Sequence, residues 1–218
     1  MKRTKVLLVD DHPLILEGYK NVLKKNSKNQ FIIETSNDLA STYLKITNAS
    51  SPYDLVCLDM NMPAEESLDM VSGEDLALFI RKNYPEVRIL VMTMSDDNFR
   101  LFNILKTINP EGFLIKKDIK PNNLVTAFND ILEGKSYYSH TVTNLLRKQI
   151  QSELILDSND RKILYFLSKG LKTKDLPNEI PLSLAAIEKR KRIMKEAFQV
   201  EIKSDLALVI KAKDIGFL

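Results

Sequence analysis

Five polar residues close four of the apolar runs in this sequence, and together they could hold a metal ion and a phosphoryl group. Asp10 and Asp11 follow the first run, Asp59 the third, Thr93 the fourth and Lys116 the fifth. Neighbouring carboxylates repel one another, and a hard cation such as Mg²⁺ relieves that repulsion. A hydroxyl and an ammonium nearby suit phosphoryl transfer, because that reaction depends on stabilising the charge of the phosphoryl oxygens.

The first 135 residues alternate short apolar runs with amphipathic stretches. Strands are predicted at Lys5 to Asp10, Phe31 to Thr35, Leu55 to Asp59, Arg88 to Thr93 and Gly112 to Lys116. Helices are predicted at Pro13 to Lys25, Asp38 to Thr47, Glu74 to Asn83, Asp97 to Thr107 and Pro121 to Leu132. This alternation predicts an α/β doubly wound five-stranded parallel sheet with helices on both faces. The polar residues should then meet in the crevice at the carboxyl ends of the strands.

The remaining residues predict a linker and a small all-α domain. Residues 136–155 are polar and read as a linker, for the most part helical, and residues 156–218 read as helical throughout. A first helix should stop at Gly170, and Pro177 should leave the next helix short or kinked. The whole net charge of +3 lies from Glu153 onward, which hints at an anionic partner for this part of the chain.

The composition predicts a soluble protein of the reducing cytoplasm. With 44% hydrophobic and 28% charged residues, 218 residues can form two modest cores without disulfides. The only cysteine, Cys57, lies in an apolar run and should be a small buried side chain. The apolar run Val6 to Val9 is too short for a signal peptide, and no stretch approaches the roughly 18 apolar residues of a membrane span.

Four motifs make residues 1–135 resemble the receiver domains of two-component response regulators, which have a flavodoxin-like fold. The stretches Val9–Pro13, Leu58–Pro63, Val91–Thr93 and Gly112–Lys116 stand in that family's order and on the expected strands.

The resemblance assigns a role to each residue of the crevice. Asp59 would be the phospho-acceptor, and a sensor histidine kinase would supply the phosphoryl group. Thr93 and Lys116 would hold the phosphoryl group, and Phe113 would be the aromatic switch. The ligands of Mg²⁺ would be Asp10, Asp11, Asp59 and the backbone carbonyl of Asn61.

One departure from the receiver pattern lies beside the predicted site. Residues Ala64 to Ser72 stand before Gly73, about six more than the family usually has between its proline and a glycine. This insertion could be a tolerated surface loop, because extra loop residues cost little closure entropy. It could also shape the choice of kinase or slow the attack of water on the phosphoryl group.

The tail from Leu156 resembles the NarL/LuxR-type helix-turn-helix domain. The matching stretches are Leu156–Asp157, Lys162–Leu164, Lys169–Leu171, Thr173–Leu176 and Ser183–Phe198. The last of these would be the recognition helix in the major groove. A projection at 100° per residue puts Ile187, Met194 and Phe198 on its core face, with Lys195 on the opposite face.

The projection and the resemblance together suggest the DNA contacts. Base edges would be approached by Glu188, Lys189 and Arg192, whereas phosphates would be contacted by Thr173, Lys174, Lys191 and Lys195. Glu188 stands where the family often has a basic residue, and it would be unfavourable near phosphates unless it reads a cytosine amino group.

Three functions remain open at the level of sequence. The first is a phosphorylation-controlled transcription factor rather than an enzyme, with duplex DNA as a partner and a homodimer as the active form. The second is a phospho-regulated module whose tail binds a protein. The third is a phosphatase of the haloacid dehalogenase type, but Asn61 stands where that family needs a second carboxylate.

Overall fold

The structure is a computed structural model that describes residues 4–26, 31–147, 155–201 and 204–218. The chain divides into two compact units. The first contains residues 1–96 and 108–149, and the second contains residues 97–107 and 150–218. Within the described ranges, no helix is both long enough and apolar enough to cross a bilayer.

The first unit is built on a parallel sheet. Its strands are β1 (Thr4–Val9), β2 (Phe31–Ser36), β3 (Leu55–Asp59), β4 (Arg88–Thr93), β5 (Gly112–Ile115) and β6 (Tyr137–Tyr138). They lie in the order β2-β1-β3-β4-β5-β6, and every neighbouring pair is parallel. The predicted α/β parallel fold and its five strands are therefore confirmed.

The sixth strand differs from the prediction, which began a linker in this region. Gly134 has φ 86° and ends the preceding helix, after which Tyr137 donates its backbone N–H to the carbonyl of Glu111. Ser139 likewise donates to the carbonyl of Phe113. These bonds bring β6 beside β5, so that helix formation begins only at His140. Residues 148–154 of the predicted linker helix lie outside the described part of the chain.

Helices cover the sheet of the first unit. They are α1 (Pro13–Asn26), α2 (Leu39–Thr47), α3 (Gly73–Asn83), α5 (Pro121–Leu132) and α6 (His140–Arg147). A buried core forms where side chains of β1, β3, β4 and β5 pack against α1 and α5, including Leu8, Leu23, Cys57, Met92 and Phe128. This packing fixes the carboxyl ends of the strands, where the polar residues of the predicted crevice lie.

Cys57 is expected to be unreactive in the native protein. It is fully buried in β3, and its burial raises the pKa of the thiol, so the reactive thiolate does not form near neutral pH. A thiol reagent such as Ellman's reagent should modify less than a few per cent of the native protein and all of the urea-unfolded protein. Rapid modification of the native chain would contradict the burial of this residue.

The second unit is all helical. It contains α4 (Asn98–Ile108), α7 (Ser158–Ser168), a 3₁₀ helix (Thr173–Asn178), α8 (Leu184–Ala197) and α9 (Asp205–Asp214). Asp157 caps α7 in a reciprocal capping box with Asp160, and Gly170, at φ 87°, follows the end of the helix. The predicted stop at Gly170 is confirmed. The short helix around Pro177 is confirmed as well, because it is a single 3₁₀ segment.

The core of the second unit also includes side chains from α4. The Phe99 ring lies 5.4 Å from that of Phe198 and 6.0 Å from that of Phe217, and Asn103 Oδ1 accepts the backbone N–H of Leu156 at 2.6 Å. Arg100 stacks over the Phe217 ring at 4.3 Å. This helix follows β4 in the chain and is predicted within residues 1–135, whereas the structure groups residues 97–107 with the later helices.

Candidate functional site

The crevice at the carboxyl ends of β1, β3 and β5 brings together three of the predicted residues. Asp10 follows β1 and is fully buried, and Asp59 ends β3 with 2% of its surface exposed. Lys116, immediately after β5, donates to Asp10 Oδ2 at 2.7 Å and to Asp59 Oδ2 at 2.6 Å. Because β1 and β3 are neighbours in the sheet, this arrangement follows directly from the strand order.

Burial sets the protonation equilibria of this group. It raises the pKa of Asp59 above its usual value, and the nearby Lys116 charge and the Asn61 N–H reverse only part of that shift. Burial also acts against the Lys116 ammonium, but the charges of Asp59 and Asp10 outweigh it and raise the pKa of Lys116. The Lys116 ammonium group therefore remains charged, and the carboxylates of Asp10 and Asp59 both accept hydrogen bonds from it.

His12 is exposed to solvent directly before α1, and it lies beside the acidic group. Its backbone N–H donates to Asp10 Oδ1 at 3.0 Å, and its Nδ1 lies 2.7 Å from Asp11 Oδ1. The hydrogen bond to Asp10 and the charge of Asp11 raise the pKa of His12. The spacing of Asp10, Asp11 and His12 along the chain was the only available signal.

The residues of this group fit a divalent cation. Ligand atoms of Asp10, Asp11, His12 and Asp59 all lie within 4.8 Å of one another. Asp11 Oδ1 is buried and has no hydrogen-bond donor in suitable geometry, although His12 Nδ1 is close. Clustered carboxylate oxygens are the ligands that Mg²⁺ prefers. The backbone N–H of Asn61 donates to Asp59 Oδ1 at 3.2 Å, so this residue also borders the group.

Thr93 and Phe113, which were also predicted for the site, lie on β4 and β5. Thr93 is fully buried at the end of β4, in register with Ile115, and its Oγ1 accepts the backbone N–H of Ser95 at 3.1 Å. Phe113 is fully buried in β5. The ring predicted to be the aromatic switch therefore lies inside the fold in this structure.

The insertion is an ordered loop that ends against the crevice. Glu65 and Met70 pair as an antiparallel bridge, and Glu65 caps the short helix Glu66–Leu68. At Gly73 the loop meets the backbone of β3, where an added Cβ would lie 2.1 Å from the carbonyl oxygen of Asp59. Glycine is required here because the chain passes too close to the backbone of Asp59 for any side chain.

Helix α8 presents part of the predicted nucleic-acid interface. Ile187, Met194 and Phe198 are buried in the core of the second unit, which confirms the predicted core face. The predicted DNA contacts that the structure leaves exposed are Lys174, Glu188, Lys189 and Arg192. Arg192 pairs loosely with Glu196 at 3.8 Å, one turn along the helix. Exposed pairs of this kind cost little to break.

The other three predicted contacts are grouped in an internal cluster with Asp205. Lys191 donates to Asp205 Oδ2 at 2.8 Å and Lys195 to Asp205 Oδ1 at 2.5 Å, while Thr173 Oγ1 lies 3.1 Å from Asp205 Oδ2. Lys191 is 3% and Lys195 5% exposed. The prediction that Lys195 lies on the exposed face is wrong, because a projection of α8 alone contains no information about Asp205 on α9.

Comparison with known proteins identifies relatives along the whole chain. The family model of the response regulator receiver domain matches residues 6–129. The nitrate/nitrite response regulator homolog of Haemophilus influenzae is 28% identical over 184 residues, covering 83% of each chain. The oxygen regulatory protein NreC of Staphylococcus epidermidis is 25% identical, covering 98% of this chain and 100% of that protein.

Solved structures share the fold. RcsB from Salmonella enterica serovar Typhimurium, bound to the promoter rprA with the phosphomimetic BeF₃⁻, superposes with a TM-score of 0.72 at 20% identity. The match covers 97% of this chain and 99% of RcsB. An RcsB–DNA complex superposes with a TM-score of 0.62 at 22% identity, covering 98% of this chain and 100% of that chain.

Proposed function

Because this chain belongs to the response regulator receiver family, we propose that it is a transcription factor controlled by phosphorylation of Asp59. The observation that carries the proposal is the buried crevice in which Asp59, Asp10 and Lys116 are in direct contact. It has the nucleophile, the acidic metal-binding oxygens and the cation that phosphoryl transfer requires. The donor would be a phosphohistidine of a sensor histidine kinase.

Each residue of the crevice has a defined part in the transfer. An oxygen of Asp59 forms a bond to phosphorus, the bond from phosphorus to the donor's imidazole nitrogen breaks, and that nitrogen takes up a proton. Lys116 passes from the Asp59 carboxylate to a phosphoryl oxygen, and the Thr93 hydroxyl donates to another. Mg²⁺ held by Asp10, Asp11, Asp59 and the Asn61 carbonyl would supply further positive charge to those oxygens. Phe113 would be the aromatic switch, and its buried ring is in the inward position.

The helical part of the chain supplies the output. We assign residues 1–135 to the receiver, 136–155 to a linker and 156–218 to the DNA-binding module. In the structure, β6 and α6 group with the first unit and residues 97–107 with the second. The exposed base-reading candidates are Glu188, Lys189 and Arg192, with Lys174 beside a phosphate. The relatives support this assignment, because RcsB is bound to promoter DNA and has been solved as dimers on DNA. We extend the same arrangement to this chain, as a homodimer when active.

The proposed setting is the cytoplasm, where a lone buried thiol such as Cys57 stays reduced. Apart from its own phosphorylation, the chain would act by binding rather than by catalysis. The role of the insertion at Ala64 to Ser72 would then be to shape the rim of the crevice that the kinase approaches.

Arg192→Ala is expected to relax sequence preference at one base position, at a cost of about 1 to 3 kcal/mol there. Arg192 is exposed on α8 and long enough to reach a base edge. Random-site selection followed by titration of the selected duplex, using full-length phosphorylated protein, measures the effect. Lys213→Ala removes an exposed charge from α9 and should leave the preference intact. Equal loss of affinity for all sequences in the Arg192 variant would remove its assignment as a base reader.

A protein-binding tail is the second candidate. It is favoured by Leu206 and Ile210, which lie one turn apart on α9 and are 69% and 51% exposed. If the full-length chain shows no salt-sensitive affinity for any duplex, with or without phosphorylation, the DNA-binding proposal is rejected and the protein-binding tail becomes the better account.

A further inference from the structure

The cluster of Lys191, Lys195, Thr173 and Asp205 is unusual for a helix expected to meet a polyanion. Both ammonium groups are turned onto the single carboxylate of Asp205, one on each oxygen. Glu188 adds a second carboxylate 3.4 Å from Lys191. Arg190 is held separately by Asp157 and Asp160, each at 2.9 Å. Three of the five basic residues of α8, which are Lys189, Arg190, Lys191, Arg192 and Lys195, are thus committed to internal partners, two of them to Asp205.

The cluster lies beside open space rather than deep in the core. A cavity of about 510 Å³ is lined by Glu188, Lys189, Lys191, Arg192 and Lys195. Asp205 itself retains 39% of its side-chain exposure. The carboxylate can therefore turn toward solvent, and the cavity offers the two ammonium groups a path to an external anion.

We propose that Asp205 withholds Lys191 and Lys195 from the phosphates of duplex DNA and thereby determines how specific the binding is. This inference rests on the proposed DNA-binding function. The carboxylate occupies the place on each ammonium that a phosphate oxygen would take. With both lysines occupied, binding relies more on the exposed residues that can reach base edges.

The physical basis is the separate contribution of phosphate contacts and base contacts. A lysine that contacts a phosphate releases condensed counterions and adds affinity for every sequence alike. Holding two such lysines internally lowers non-specific binding without affecting base readout. Burial acts to raise the pKa of Asp205, but hydrogen bonds from the two lysines hold it below its usual value, so the carboxylate that holds them stays ionised.

The test compares Asp205→Asn with wild type in the full-length chain. Phosphate contacts made by Lys191 and Lys195 in the absence of the Asp205 carboxylate should steepen the dependence of log affinity on log salt by about one to two units, since each such contact contributes about 0.9. Affinity for a random-sequence duplex at low salt should rise by roughly tenfold. Affinity for a selected duplex should rise less, so the ratio of specific to non-specific affinity should fall.

Asp214→Asn is the matched control, because it removes the same charge from the exposed far end of the same helix. It should change the salt slope by much less than one unit. Equal slopes for the Asp205 and Asp214 variants would overturn the proposal, since net charge alone would then explain the result.

Lys195→Met tests the withholding in a chain that keeps Asp205. The proposal requires an unchanged salt slope, because this lysine does not reach DNA in the wild type. A slope shallower by about one unit would show that it already contacts a phosphate and would overturn the proposal.

If Asp205→Asn alone does not fold cooperatively, Asp205→Asn/Lys195→Met preserves the charge balance. The salt dependence of this double variant should be steeper than that of Lys195→Met by about one unit, and equal slopes would refute the inference. Loss of duplex binding in the wild type itself is a different outcome, which rejects the proposed function.

Discussion

Asp59→Asn is expected to abolish phosphorylation of the chain. Small phosphodonors such as acetyl phosphate, supplied with Mg²⁺, should label the wild type as an acyl phosphate that hydroxylamine removes. The variant should lose all of this label, because an amide oxygen is not a nucleophile strong enough to attack phosphorus and the buried crevice offers no equivalent group in the same position. Phos-tag electrophoresis and intact-mass measurement give the stoichiometry.

Asp54→Asn serves as the control for this experiment. Asp54 lies at the opposite end of β3, where its Oδ2 accepts the backbone N–H of Lys5 at 2.8 Å. Its replacement removes the same charge from the residue directly before the strand and should leave labelling intact. Retention of full labelling in the Asp59 variant would require a different acceptor, and the site assignment would be wrong.

Gly73→Ala is expected to destabilise the protein strongly. The added Cβ would lie 2.1 Å from the carbonyl oxygen of Asp59 and 3.1 Å from Cα of Met60, both backbone atoms that cannot rotate away. Overpacking of this kind costs about 1 to 3 kcal/mol and sometimes more in the free energy of unfolding. Urea denaturation should show a lower midpoint, and labelling of Asp59 should slow because the clash displaces its backbone.

Gly18→Ala is the matched control for this substitution. Gly18 lies within α1, and a Cβ there meets no atom within 4 Å. Since glycine is disfavoured in a helix, alanine should raise the free energy of unfolding by about 0.5 to 1 kcal/mol. The two substitutions should therefore shift the urea midpoint in opposite directions. A shift of the same sign and size in both would mean that the close approach at Gly73 does not exist.

The parallel sheet and its crevice could be predicted from sequence because both depend on strong local signals. Each of the five strands is an apolar run, and the polar residues that end them reach one rim in any doubly wound order. The sixth strand lacks such a signal, since two tyrosines have no periodicity. Its position depends on the left-handed turn at Gly134, which allows the chain to return beside β5.

The cationic cluster could not be predicted, because it depends on contacts between separate helices. Lys191 and Lys195 are four residues apart on α8. A helical projection places Lys191 at the edge of the exposed face and Lys195 within that face. Asp205 on α9 reverses that reading by accepting both ammonium groups. Similarly, nothing in the local pattern of α4 shows that Phe99 packs with the later helices.

The discontinuity of the second unit also has a consequence for biosynthesis. The segment 97–107 leaves the ribosome about fifty residues before α7, which begins at Ser158, and well before Phe217. The partner rings of Phe99 do not yet exist while this segment emerges, so native contacts cannot cover its apolar side until Phe198 and Phe217 have been made. A chain that stalls before α8 would display that surface, whereas a chain that includes Phe217 would hide it. Covering Phe99 therefore requires that α8 and the residues up to Phe217 have been synthesised.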